Sequence, residues 1–228
     1  MPVLVSLLCL LLSLEHTFLD TKAREETKTD RPIAMSLLLD NSSRLEPSRT
    51  VIRAQLADFI RTLRPNDAAE LIEFSNDIKI RQRFTSDTGA LTNALTKSAS
   101  PSGRAVYGAV QMALKELDKF KSQGNCGDCR LMLIVIAGGP DISSVIRANQ
   151  LLALVSRARD VRIYGVAVPV KGRPLDREIE SMFRQMAQMT GGRAFFPNRI
   201  EELPDVYSQL RDELFGASAL PGQQPGER

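Results

Sequence analysis

The sequence has no tryptophan, and aromatic residues make up only 5% of its 228 positions. Its formal net charge is only +3, and no dense basic block interrupts it. Nucleic-acid surfaces concentrate cations beside stacking aromatics, so nucleic acid is not an expected partner. The single histidine, His16, borders an N-terminal apolar segment. Without that segment the chain has no histidine. That excludes Ser-His-Asp and Cys-His catalysis and any His-ligated zinc site. Cysteine is scarce: Cys9, Cys126 and Cys129. A zinc site needs two ligands beyond the Cys126–Cys129 pair, and the sequence offers no second Cys pair or histidine pair for it.

What remains suits one medium domain with tails, long enough to bury a sizeable core. Val3 to Leu14 is almost continuously apolar. The run falls short of the roughly 20 residues a membrane span needs and matches the core of a signal peptide. No Lys or Arg precedes it, and no small-x-small cleavage motif follows. Export is the reading adopted, with a mis-assigned start or a buried helix as the alternatives. Cleavage near Asp20 removes Glu15 and Asp20 and raises the charge from +3 to +5. The chain is thus expected to comprise a signal or apolar segment (1–20), a linker (21–31), one folded domain (32–215) and a disordered tail (216–228). An uncleaved N-terminus is the only expected route to a membrane. In an exported chain, Cys126-Gly-Asp-Cys129 reads as a small structural disulfide. Free thiols or redox activity are the other readings; thioredoxin-type pairs follow a strand and open a helix, whereas this one precedes a strand.

From Pro32 the pattern alternates strands and helices. Ile33 to Leu39 and Leu131 to Ala137 are continuous apolar runs, as in strands buried on both faces. Ser42 and Ser43 suit a helix N-cap and Pro47 its first turn, ahead of the stripe Ile52, Leu56, Phe59, Ile60 and Leu63. Arg64 to Asp67 is a turn, and Ala68 to Phe74 a strand. Ser75-Asn-Asp77 leads tightly into Ile78 to Phe84, which forces an antiparallel hairpin. There Lys79, Arg81 and Arg83 alternate onto one face, as on a protected edge strand. Helices are expected over about 88–96, 106–117, 143–159, 179–189 and 203–214, with strands over 161–168 and 193–196. The fold class is therefore α/β: a three-layer, doubly wound, mostly parallel six-stranded sheet with one antiparallel edge strand and helices on both faces.

Ile33 to Leu39 runs into Asp40-Asn-Ser42-Ser-Arg44, at the strand end where open α/β sheets hold ligands. With Leu63-Arg-Pro-Asn-Asp67, Phe74-Ser-Asn-Asp77, Phe84-Thr-Ser-Asp87 and Thr190-Gly-Gly-Arg-Ala-Phe-Phe-Pro197, this resembles a von Willebrand factor type A (VWA) domain. The resemblance covers about residues 31–215 and is to the exported bacterial branch of acidobacterial type. It implies a Rossmann-like fold and a protein-binding, non-enzymatic role. In that family, serines, a threonine and aspartates often hold Mg²⁺ at the top of the sheet. Hard cations need such oxygen ligands. Here Asp40 and Ser42 match. Arg44 replaces the second serine, Arg104 the threonine and Gly138 the second aspartate. The resemblance thus implies a degenerate metal site (MIDAS), with Asp40 and Ser42 as remnant ligands. Two guanidiniums beside one carboxylate repel a divalent ion, so no metal or other cofactor is expected.

Asp141 could reach the site, but is expected to cap the next helix in competition with Ser143 and Ser144. Two readings of the arginines stay open. Arg44 or Arg104 pairs internally with Asp40, or one stays available for a partner's carboxylate, helped by backbone N–H groups at Gly138, Gly139 and the following helix. The expected function is a non-enzymatic adhesion or scaffold module of the cell envelope, periplasm or exterior, recognising an unidentified protein through an acidic residue. The alternative is a small-anion binder or enzyme in the same crevice. Against it, the sequence holds neither G-x-G-x-x-G nor Gly-Lys-Ser/Thr, and its serines have no base.

Overall fold

The computed structural model describes residues 31–95 and 102–216. Two stretches assigned from sequence, the N-terminal segment with most of its linker (1–30) and the tail after Gly216, lie outside these residues.

Six strands form one sheet in the order β3-β2-β1-β4-β5-β6. They are β1 (Ile33–Asp40), β2 (Ala68–Phe74), β3 (Ile78–Thr85), β4 (Arg130–Ala137), β5 (Val161–Ala167) and β6 (Ala194–Phe195). All pairings are parallel except β2 with β3. The helices are α1 (Arg49–Ile60), α2 (Thr88–Ala94), α3 (Val106–Ser122), α4 (Ala148–Val155), α5 (Arg177–Thr190) and α6 (Leu203–Phe215). This is the α/β architecture expected from the sequence.

Every residue of β1 and β4 is buried, as a central parallel strand covered on both sides requires. Ala34 and Leu38 of β1 join Val110, Ala113 and Leu117 of α3, Leu151 of α4 and Phe183 of α5 in one apolar cluster. Met35, Leu37 and Leu39 alternate with them and face the other way. That face is the side of α1 and α6, where Phe59 and Tyr207 place their rings 5.8 Å apart. By contacts, Pro32–Leu210 forms one body. The described residues of the second unit are Arg31 and 211–216, where the Gly216 N–H closes on the Asp212 carbonyl at 2.9 Å.

Buried charges pin the frame. Asp67 accepts the Ile33 N–H at 2.8 Å and pairs with Arg64 at 3.0 Å, fixing the turn predicted at 64–67. Glu73 is clamped by Arg53 of α1 at 3.2 Å and Arg81 of β3 at 2.7 Å. The single charged face expected for β3 is not formed. Two register shifts break its alternation, so Arg81 reaches Glu73 while Arg83 pairs with Glu116 of α3 at 3.5 Å, on the opposite side. A bulge inserts a residue and resets which face follows.

Two helices begin differently from expectation. Ser43–Ser48 is a 3-10 turn containing Pro47, and the α-helix starts only at Arg49. The helix expected over 143–159 is confined to Ala148–Val155. Asp141, Ser143 and Ser144 instead turn their side chains to the backbone N–H groups of Tyr107, Arg104 and Gly108 at the start of α3.

Candidate functional site

The chain leaves β1 toward β2 on one side and later enters β4 on the other. The sheet therefore reverses direction between β1 and β4. Strand ends part there and leave a crevice. Asp40 closes β1 at its lip and is only 4% exposed. Its Oδ1 accepts the Ser42 N–H at 2.8 Å, and its Oδ2 accepts the Gly138 N–H at 2.9 Å. The carboxylate thus staples the end of β1 to the end of β4. Burial pushes its pKa up; the hydrogen bonds from Gly138 and Ser42 and the charge of Arg104 work against that shift.

No ion pair joins Asp40 to either arginine among the described residues, so the internal salt bridge considered from sequence is not formed. Arg104 is almost buried, and its Nε donates to the Pro140 carbonyl at 3.1 Å. Arg44 has a buried Nε that makes no hydrogen bond. Both guanidinium arms lie over Gly139: a Cβ there would stand 3.1 Å from Arg44 Nε and 3.3 Å from Arg104 Nε. A side chain at Gly139 would press on both arms. Burial lowers the Arg44 pKa, and the charges of Arg104 and Arg173 lower it further, with Asp176 and Asp40 opposing. Arg173, on the loop after β5, is thus a third cation at the crevice that sequence reading missed. A cleft of about 160 Å³ runs between Arg44, Gly138, Arg173, Asp176 and Asn198. The signal available in the sequence was Lys171-Gly-Arg173-Pro, a polar loop following the expected strand over 161–168.

Ser42 is buried, and its Oγ makes no hydrogen bond. Gly138 has its N–H committed to Asp40, and the next helix begins ten residues later at Ala148. The backbone donors expected there for an anion are therefore not assembled. Asp141 does cap a helix, but not the following one. Its Oδ2 accepts the Tyr107 N–H in the first turn of α3 at 2.8 Å, and its Oδ1 accepts Ser143 N–H at 3.2 Å and Ser144 N–H at 2.9 Å. Ser144 Oγ adds a fourth bond at 2.5 Å. The reason is spatial: the loop after β4 folds across the start of α3, where a carboxylate accepts from an orphan N–H group.

This donor set does not fit a divalent cation. Asp40 has both oxygens occupied by backbone N–H groups, and Asp141 is saturated. A side chain at Gly138 would run into Leu45, because a Cβ there overlaps the leucine's tip. Arg44 and Arg104 put two cations beside the one buried carboxylate, which opposes a divalent ion there. Nor does any described serine sit beside a histidine; the only one, His16, lies outside the described residues. Cys126 and Cys129 form a disulfide with Cα atoms 5.5 Å apart, on the loop before β4 and away from the crevice.

No protein-family model matches the chain, and no curated protein does. Solved structures do. A von Willebrand factor type A protein from Catenulispora acidiphila superposes with a TM-score of 0.67 at 12% identity, over 82% of this chain and 43% of that one. Proximal thread matrix protein 1 from the mussel byssus, solved with a zinc-occupied MIDAS motif, gives 0.66 at 12% identity, over 82% and 48%. An aerotolerance-related membrane protein from Bacteroides fragilis gives 0.61 at 15% identity, over 80% and 98%. The chain spans less than half the length of the first two and nearly all of the third. At these identities the likeness is one of fold: the chain has the fold of a von Willebrand factor type A domain.

Proposed function

We propose that the chain is a non-enzymatic protein-interaction module, of adhesion or scaffold kind, whose crevice receives a partner's carboxylate without a metal. The observation that carries this reading is the pair Arg44 and Arg104. They flank Gly139 at the sheet's switch point, neither forms an ion pair with Asp40, and the Arg44 Nε is left without an acceptor. A guanidinium fork is complementary to a carboxylate, so an acidic residue of the partner supplies the charge and acceptors that the chain itself withholds. Arg173 at the rim adds to the field that would draw such a group in. The fold's neighbours support a binding role by analogy only.

We place the module in the cell envelope or outside the cell. Three features support this: the apolar run Val3–Leu14, the Cys126–Cys129 disulfide, and a fold neighbour described as a membrane protein. No helix among the described residues is long and apolar enough to cross a membrane.

The test is titration calorimetry of chelator-treated protein with Mg²⁺ and Mn²⁺. No heat at millimolar metal is expected. Clear one-site binding would overturn the reading and return the chain to metal-dependent recognition.

A further inference from the structure

The loop from Pro140 to Arg147 carries two aliphatic side chains into solvent: Ile142 is 61% exposed and Val145 fully so. Single exposed aliphatics are common and need no explanation. These two differ because their loop is held rigidly. The Arg104 carbonyl accepts the Ile142 N–H at 3.0 Å, and the Arg104 N–H donates to Ser143 Oγ at 3.1 Å. The Gly108 N–H donates to Ser144 Oγ at 2.9 Å, and Asp141 binds the Tyr107 N–H. The aliphatic tips are therefore displayed by a fixed frame rather than exposed by slack.

Beside them a groove of about 430 Å³ runs along α3, walled by Ile78, Gly108, Met112, Val145 and Ile146. Its near end is formed by Ala105 and Ser143, the chain neighbour and the hydrogen-bond partner of Arg104. Arg104 thus stands between two surfaces: its backbone neighbours line the end of an apolar groove, and its almost buried side chain lies beside that of Arg44 over Gly139. Lys115 and Glu116 both line the groove, and Glu116 pairs with Arg83 at 3.5 Å, so the cationic character of this surface comes from the crevice end.

We propose that groove and crevice form one docking surface for a protein segment in which an acidic residue adjoins an apolar one. The carboxylate meets Arg44 and Arg104, and the apolar side chain settles between Val145 and Met112. This rests on the carboxylate reading above and adds the partner's second determinant. Charge complementarity selects the acid; the displayed aliphatics select its neighbour.

Selection of a random-peptide phage library on the full-length chain tests it. Recovered peptides are expected to share Asp or Glu within a residue or two of Leu, Ile or Phe. Binding of the leading synthetic peptide should fall about tenfold in the Ile142→Ser/Val145→Ser variant, whose changes are exposed and leave the melting temperature unmoved. Amidating the peptide's acid should weaken it comparably. Peptides that need the acid but bind this variant as tightly as the parent would overturn the docking surface and leave the carboxylate reading standing. Peptides indifferent to amidation, or no enrichment at all, would overturn both.

Discussion

A single missing side chain decides much of the chemistry at the crevice. Gly138 sits where the fold's metal-binding relatives are expected to place an aspartate, yet its Cα faces the buried Leu45. Restoring the acid does not restore a ligand. Gly138→Asp is expected to destabilise the protein by about 2 kcal/mol or more, since it overpacks a closed site and buries a charge. It should produce no metal-binding heat, and calorimetry combined with urea denaturation reads both quantities. Recovery of Mg²⁺ binding would show that Leu45 yields and that the crevice is a metal site one substitution away. The residue types at Asp40, Ser42, Arg44, Arg104 and Gly138 were legible in the sequence: four fall at a strand end or in the turn beside it, and Arg104 just before α3. Their partners were not. Asp40 chooses two backbone N–H groups over an arginine, a preference set by the angle at which β1 and β4 part, which no residue pattern encodes.

At the scale of elements, the strands, their succession along the chain and the single antiparallel hairpin followed from apolar runs and short turns. The misreadings gathered where side chains bond to backbone. The stretch 141–147 has helical apolar spacing, but Asp141, Ser143 and Ser144 are captured by the start of α3. Such capture depends on a neighbour that is remote in sequence, so periodicity cannot reveal it. The same holds at β3, where bulges send Arg81 and Arg83 to opposite sides. Asp141 is therefore a joint between the β4 loop and α3 and not a local cap. Asp141→Ala strips four hydrogen bonds and takes the carboxylate acceptor from the Tyr107 N–H at the start of α3 and from the Ser143 and Ser144 N–H groups. A loss of about 2–3 kcal/mol is expected by chemical denaturation. A loss under about 0.5 kcal/mol would show that water replaces the carboxylate and that the loop is not held as described.

For the whole molecule, one buried acid links stability to pH. Glu70 of β2 accepts a hydrogen bond from Ser36 of β1, its neighbour across the sheet. Its second oxygen is buried without a partner. Burial raises its pKa from 4.5 to about 7, with the charge of Glu116 adding to the shift and Ser36 and Arg83 opposing it. The folded state therefore holds this proton more tightly than the unfolded chain. The stabilisation is complete below about pH 4.5, shrinks as pH rises, and is lost above about 7. Unfolding free energy should fall by a few kcal/mol across that window, and Glu70→Gln should flatten the fall. An unchanged slope in the variant would assign the dependence to other groups. The crevice carries a different whole-chain dependence. The bond between Asp40 and Gly138 spans 98 positions in sequence, and Arg104 reaches Pro140 over another 36. Contacts of such separation form late, after much of the chain is already ordered. A nascent chain that has not yet emerged past β4 has Asp40, Arg44 and Arg104 but no place for them to converge. On the proposed reading, recognition is withheld until the chain has been made and folded past Pro140, so shorter products cannot compete for the partner.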